Sequence, residues 1–413
     1  MIKIDHKTLA HDTKLGFYTM GGETYWDKAS AVLEGTKKGL GYKDLYWNFN
    51  DKDFGSWNWS EEPPGGIRQY YHARARHLRE KYDYIIINCS GGADSTTVLY
   101  SFLHQGLHVD EVFVRHADVG TKNYKSTNQD FDASNEHSEF EYAALPLLNW
   151  VRKVSPKTKI TVHDFSKDII NDNLTWDENF IYWCGDYVTP GCIVRYSHAS
   201  DKDSLNTFDK GKKICILFGT DKPKLAMTSD NNLWTFFGDR AVSSAIPAAV
   251  NNGYDNTFVE LFYWSPDAIP LMIKQCHVLK NWFDMPENKR LQYMLNPAWQ
   301  MNAMNRTLYE NVIKAIIYPD YDFMTFQCNK PVKLVFQEWD YWMNDFKNTE
   351  GYNTFMRGVK YLYDNTNKDF FKVPDTNILE NTMNVLNWEY KICASKQYLI
   401  GKLNETSLPI ITR

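Results

Sequence analysis

The chain has 413 residues, which at roughly 150 residues per domain points to two domains, or one large domain with additions. Hydrophobic residues make up 43% and charged residues 23%, a globular balance that excludes a disordered, collagen-like or coiled-coil chain. With 46 basic and 51 acidic residues the net charge is −5, so bulk charge gives no reason to expect a nucleic-acid binder, and only a local basic patch would serve one.

The N-terminal stretch is polar, with no secretion signal. No apolar run approaches the roughly 18 residues of a membrane span. Seven cysteines, at 89, 184, 192, 215, 276, 328 and 393, are odd in number, scattered and without a C-x-x-C pair. That usage predicts free thiols, a cytoplasmic protein and no membrane partner.

Three zones follow in order. Residues 1–80 form an aromatic- and glycine-rich N-terminal extension. A turn at Pro63-Pro64-Gly65-Gly66 leads into a helix with Ile67, Tyr70, Tyr71, Ala75 and Leu78 at helical spacing. Arg68, Arg74, Arg76 and Arg79 make this helix basic, and a solvated face is the reading we give them.

Residues 81–245 alternate strand and helix. Tyr84–Asn88 (YIIIN) and Ile214–Phe218 (ICILF) are continuous apolar runs, as expected of strands buried on both faces. Val112–Arg115 and Ile160–His163 complete four strands. A helix begins near Ser95 and stops at Gly106. Phe140–Val151 reads as helical, with Pro146 as a flaw. The alternation predicts a Rossmann-like α/β fold with a parallel sheet. Residues 246–413 read as mostly helical after a strand at Phe258–Tyr263. Ser265-Pro266-Asp267 starts a helix running to about Phe283, and further helices are expected at 303–317 and 339–365. This zone is expected to pack on the sheet and shape a substrate pocket. Its Ile269, Met272, Ile273, Cys276, Leu279 and Phe283 stripe reads as core, and His277 as a packed histidine.

The chemistry concentrates where the first buried strand runs through Cys89 into Ser90-Gly91-Gly92-Ala93-Asp94-Ser95 and a helix follows at once. Two glycines let the backbone curl closely around an anion. The Ser90 and Ser95 hydroxyls can donate to phosphate oxygens, and the helix start offers free N–H groups. Asp94 makes sense beside phosphate if it holds Mg²⁺, which takes oxygen ligands and bridges nucleotide phosphates.

Ser90–Ser95 resembles the SGGxDS loop of the PP-loop ATP pyrophosphatase (adenine nucleotide alpha hydrolase-like) superfamily. Its relatives include asparagine synthetase, 7-cyano-7-deazaguanine synthase and phosphoadenylylsulfate reductase. The resemblance implies a HUP-type sheet and hydrolysis of ATP between the α- and β-phosphates, with AMP attached to an acceptor. No G-x-x-x-x-G-K-[ST] loop is present, which argues against γ-phosphate chemistry of the kinase kind. Arg115-His116-Ala117-Asp118-Val119-Gly120 resembles the H-x-D-x-G segment of the reductase and sulfurylase branch, near the adenosine. Gly219-Thr220-Asp221-Lys222-Pro223-Lys224 ends the fourth strand on the same edge, where two lysines would neutralise departing pyrophosphate. Lys81–Tyr84, Gly219–Pro223 and Phe262–Asp267 also resemble stretches of bacteriophage proteins that carry this loop, which would place the chain in a host cytoplasm.

The expectation is therefore an ATP- and Mg²⁺-dependent, AMP-forming enzyme. Asp94, Lys222 and Lys224 would be catalytic, with Asp94 also the metal ligand. Ser90, Gly91, Gly92, Asp94, Ser95, Asp118, Gly120, Gly219 and Asp221 would bind the nucleotide. The acceptor is expected to be a small molecule or mononucleotide rather than nucleic acid. A reductase- or sulfurylase-like enzyme and a non-catalytic nucleotide-binding module are the alternatives. The reductases' E-C-G-[IL]-H setting is absent around Cys393. Cys184 and Cys192 read as ordinary cysteines rather than a sulfur relay. No cysteine follows Met1, so any ammonia is expected from solution or from a partner.

Overall fold

A computed structural model describes residues 13–123, 140–164, 166–167, 211–242, 245, 256–322, 348–371 and 390–404. The first of these build a three-stranded antiparallel sheet, β1 (Phe17–Met20), β2 (Glu23–Tyr25) and β3 (Leu45–Asn48), in the order β2-β1-β3. Helix α1 (Lys28–Lys37) lies between β2 and β3, capped by Asp27, whose carboxylate accepts the Ser30 N–H at 2.7 Å. Helix α2 (Ile67–Lys81) follows the double-proline turn.

Strand β4 (Tyr84–Asn88) leads to helix α3 (Ala93–Leu103) and β5 (Glu111–His116), then to α4 (Leu145–Val154) and β6 (Lys159–Asp164). Next come β7 (Ile214–Phe218), the hairpin strands β8 (Lys224–Met227) and β9 (Asn232–Phe236), and β10 (Thr257–Leu261). Helices α5 (Ile269–Asp284), α6 (Ala303–Ile317) and α7 (Glu350–Asn365) precede β11 (Tyr398–Lys402).

Five of these strands form one wholly parallel sheet in the order β10-β7-β4-β5-β6. Every residue of β7 is buried, as its unbroken apolar run demands, whereas β6 is an edge strand whose Val162 is exposed. The chain steps one way from β4 through β5 to β6, then returns to the far side of β4 with β7 and moves on to β10. The direction therefore reverses between β4 and β7. At such a point the loops leaving the carboxyl ends of the two strands diverge and leave a crevice. The α/β expectation holds, and the sheet gains β10, whose sequence lies beyond position 245.

Some local features differ from the sequence reading and others match it. Phe140–Ala144 is π-helical and hands over to α4 at Leu145. Pro146 thus sits in the first turn of a helix, where its missing N–H costs nothing. Lys224 is not in a loop but starts β8, and β11 joins the hairpin to give a second antiparallel sheet, β11-β9-β8. The expected N-cap at Ser265 is present, its hydroxyl oxygen accepting the Asp267 N–H at 3.4 Å. The helix expected at 339–365 is described from Glu350 onward. Cys184, Cys192 and Cys328 lie outside the described residues.

The aromatic residues are chiefly core. Trp47, Phe49, Phe237, Trp264, Trp59 and Tyr398 form a continuous ring-on-ring series, with centroids 4.6 Å apart for Trp47 and Phe49, 4.8 Å for Phe237 and Trp264, and 4.6 Å for Trp59 and Tyr398. This series joins the N-terminal extension, the hairpin, the segment after β10 and β11 into one apolar body. Helix α5 packs against both α2 and α6.

The arginines of α2 are committed to partners within the chain, although Arg68 and Arg76 remain exposed as expected. Arg68 makes a two-pronged pair with Asp320, at 3.0 and 2.9 Å. Arg76 donates to Gln105 at 2.7 Å and Arg79 to Asp110 at 2.5 Å. Arg74 is not solvated as expected but buried. It donates to Glu260 at 3.2 Å and to the carbonyls of Leu261 and Phe262 at 2.9 and 3.1 Å. Glu260 also takes Lys14 at 2.9 Å, Lys81 at 2.8 Å and the Tyr82 hydroxyl at 2.5 Å. The missed signal was a charged residue, Glu260, inside an apolar strand pattern. Such a residue is tolerable only if the neighbouring helix supplies its cations.

Candidate functional site

The loop from Cys89 to Ser95 leaves β4 at the reversal point of the sheet. Gly91 adopts φ +75°, a conformation that costs glycine little and other residues much. A side chain there would also meet the Ala144 amide nitrogen at 2.5 Å and the Ala143 carbonyl carbon at 2.7 Å. The π-helical segment therefore covers this side of the loop. Gly91→Ala is expected to lower the melting temperature by several degrees, through positive-φ strain and this backbone clash. Thermal denaturation followed by circular dichroism checks it.

Gly92 stands at the N-cap of α3 with no side-chain cap, so the first-turn amide groups lack the side-chain acceptor that usually closes a helix start. Ser90 is exposed. Ser95 differs from the expectation that its hydroxyl faces a ligand. It is buried, donates to the Gly92 carbonyl at 3.1 Å and accepts the Ser90 N–H at 3.3 Å, which ties the loop to its own helix. Asp94 is half-buried and its carboxylate accepts the Tyr318 hydroxyl. Its carbonyl accepts the Tyr263 hydroxyl at 3.0 Å.

The loop after β7 lies on the same edge, as the sheet argument requires. A side chain on Gly219 would meet Val98 Cγ2 at 2.9 Å, Ser95 Cα at 3.1 Å and the Asp94 carbonyl oxygen at 3.2 Å. Glycine here lets the β7 loop lie directly on the start of α3. Two positions on, Asp221 accepts Lys222 Nζ at 2.9 Å, and Glu310 stands 3.3 Å from the same ammonium. Burial alone would lower the Lys222 pKa, but Asp221, Asp94 and Glu310 outweigh it and hold it well above the ordinary lysine value. Asp221, which burial would raise, is held low by Lys222 and Lys224. Lys222 is therefore a buried cation already flanked by two carboxylates. Lys224 Nζ lies close to Gly238, where a Cβ would meet it at 3.1 Å.

Asp118 and Gly120 follow β5, one strand over. Asp118 stands 3.3 Å from His116 Nε2, and buried His116 stacks on Phe140 with centroids 4.5 Å apart. The Gly120 N–H donates to Ser166 Oγ at 3.1 Å. The short helix Asp118–Asn123 is thus fastened to the segment just past β6, and the 140–144 segment connects it to Gly91.

Helix α6 supplies what the sequence reading missed. Tyr309 anchors it by accepting the Leu225 N–H of β8 at 3.2 Å. Glu310 reaches Lys222, Tyr318 at its C-cap reaches Asp94, and Lys314 lies one turn from each. Burial lowers the Lys314 pKa and Lys222 lowers it further, against the carboxylates of Asp94, Glu310 and Asp221. The spacing 310-314-318 marks one helix face. Without a partner strand in view, however, nothing in the sequence tells that face from an ordinary amphipathic one.

Among the described residues no group of three or more His, Cys, Asp or Glu side chains is placed to hold a metal ion. A Mg²⁺ held through one carboxylate, waters and phosphate oxygens needs no such group, and Asp94 at the open end of α3 fits that role. The described cysteines, Cys89, Cys215, Cys276 and Cys393, are all buried, and burial raises the Cys276 thiol to about 12. His277 is packed as expected, with Nε2 3.0 Å from the Trp59 carbonyl. A separate cavity of about 490 Å³ beside β3 and Cys393–Lys396 shares no residue with this edge. No helix among the described residues is long and apolar enough to cross a membrane. No protein-family model matches the chain, and a search of curated proteins finds no match.

Proposed function

We propose that the chain is a PP-loop, HUP-type ATP pyrophosphatase: an enzyme that transfers AMP from ATP to an acceptor and releases pyrophosphate. The observation that carries this reading is the Ser-Gly-Gly-x-Asp-Ser loop itself. It leaves a buried parallel strand at the reversal point and opens a helix without a side-chain cap. It also lies against a second loop that brings Lys222 near Asp94. Ser90 and the first amides of α3 bind the β,γ-phosphates, while Gly91, Gly92 and Ser95 fix the loop's shape. Asp94 is the protein ligand for Mg²⁺, which when bound neutralises phosphate charge. The buried Lys222 ammonium, held in place by Asp221 and Glu310, stabilises charge on the departing pyrophosphate. Asp118, with Lys224 and Gly120, belongs to the rim of the same edge, toward the nucleoside.

The acceptor is a small molecule or mononucleotide. The commitment of Arg68, Arg74, Arg76 and Arg79 to partners within the chain supports this, since a polymer binder needs several cations free for phosphates. Incubation with Mg·ATP and a pool of small-molecule acceptors is expected to yield AMP and pyrophosphate. ADP and phosphate, thiol-dependent sulfite release from an adenylyl sulfur compound, or nucleotide binding without products would each overturn the proposal. The last two would favour the reductase-like and non-catalytic alternatives.

A further inference from the structure

We infer that Lys314 is a phosphate-binding residue of this site, facing the β,γ-phosphates of a nucleoside triphosphate or the pyrophosphate split from it. The inference rests on the proposed nucleotide reading and adds a residue that no motif in the loop or in the β7 turn contains. Glu310, Lys314 and Tyr318 follow one another at four-residue intervals along one face of α6. The two outer members are fixed at known places: Glu310 3.3 Å from Lys222 Nζ, and the Tyr318 hydroxyl on the Asp94 carboxylate. Lys314, between them on the same face, lies close enough to Lys222, Asp94, Glu310 and Asp221 for their charges to act on it, which sets it beside the 90–95 loop.

Its situation is unlike that of the other buried cations. Lys222 has Asp221 and Glu310, Arg74 has Glu260, and Lys28 has Asp239 at 2.6 Å. Among the described residues the Lys314 side chain makes no ion pair and no hydrogen bond, although the residue is half-buried. An ammonium withdrawn from water without a partner is costly. The cost falls when an anion arrives, and the uncapped end of α3 with exposed Ser90 makes the adjoining space suited to phosphate. Lys314 also differs from Lys222 in function: its charge is not yet balanced by a carboxylate at contact distance.

Calorimetric titration of the full chain with magnesium pyrophosphate, Mg·ATP and AMP tests this in wild type and in the variants K314M, K314Q and K314R. We expect K314M and K314Q to lose about 10- to 100-fold in affinity for pyrophosphate and ATP, as befits one charge-assisted hydrogen bond. AMP affinity should stay unchanged, and K314R should retain most of the binding. Pyrophosphate affinity within twofold of wild type in either neutral variant overturns the inference. So does an equal loss for AMP, which would mark a structural role. Wild type that binds neither ATP nor pyrophosphate overturns the nucleotide reading itself, and the inference with it.

Discussion

Asp94→Asn is expected to reduce Mg²⁺-dependent pyrophosphate release by about 100-fold or more, while leaving the melting temperature within a few degrees of wild type. The structure explains why the two effects separate. The Asp94 carboxylate accepts the Tyr318 hydroxyl, and its backbone carbonyl accepts the Tyr263 hydroxyl. Asparagine keeps an acceptor oxygen for Tyr318 and leaves the carbonyl untouched, so the tyrosine contacts with the start of α3 survive. What it removes is the charge, and a neutral amide is a poor ligand for a hard divalent cation. Retention of full pyrophosphate release by Asp94→Asn would show that Asp94 is not the metal ligand. A large drop in melting temperature would show instead that its charge supports the fold.

The largest loss of stability is expected from the edge strand β10. Glu260→Gln leaves Arg74 buried without its carboxylate, and breaking a buried pair in this way costs about 3–5 kcal/mol. Lys14, Lys81 and the Tyr82 hydroxyl lose the same acceptor. Urea unfolding of the variant measures the cost; a change under about 1 kcal/mol would mean that water compensates the cations. The pH dependence follows from the same cluster. Burial pushes the Glu260 pKa up, but Arg74, Lys14 and Lys81 outweigh it and hold it at about 2, below the ordinary 4.5. A carboxylate depressed in the folded state contributes stability that is fully present above pH 4.5. That contribution is lost as pH falls through about 2. Asp267, raised by burial but lowered more by Lys14 and Lys81, acts in the same direction. Wild type is thus expected to lose stability more steeply than Glu260→Gln between pH 4.5 and 2.

The parallel sheet was legible because burial on both faces imposes unbroken apolar runs, and Tyr84–Asn88 and Ile214–Phe218 are such runs. The loop was legible because close backbone curvature and an open helix start call for particular residue types at fixed spacing. The β8–β9 hairpin was less so: Lys222-Pro223-Lys224 read as a turn, and the true turn, with Asn231 at φ 64°, lies four residues past Met227. β11 pairs with β9 from more than 150 positions away, a long-range choice that local pattern does not encode. The same limit applies to the site. Ser90, Asp94 and Gly219 announce themselves by motif and strand end. Glu310, Lys314 and Tyr318 matter only because α6 is fastened to β8 through Tyr309 and laid across the loop. Ser95 shows the converse: the motif singles it out, but its hydroxyl serves the loop and not the open edge.

Co-crystallisation of the full chain with Mg²⁺ and α,β-methylene-ATP, an analogue that resists cleavage between the α- and β-phosphates, tests the central claim most directly. The account predicts the β,γ-phosphates at hydrogen-bond distance from Ser90 and the first amides of α3. It also predicts the metal on Asp94, and the α-phosphorus turned toward the crevice between β4 and β7. A nucleotide bound elsewhere on the molecule, or bound here with its γ-phosphate rather than its α-phosphate presented to the open crevice, would contradict it.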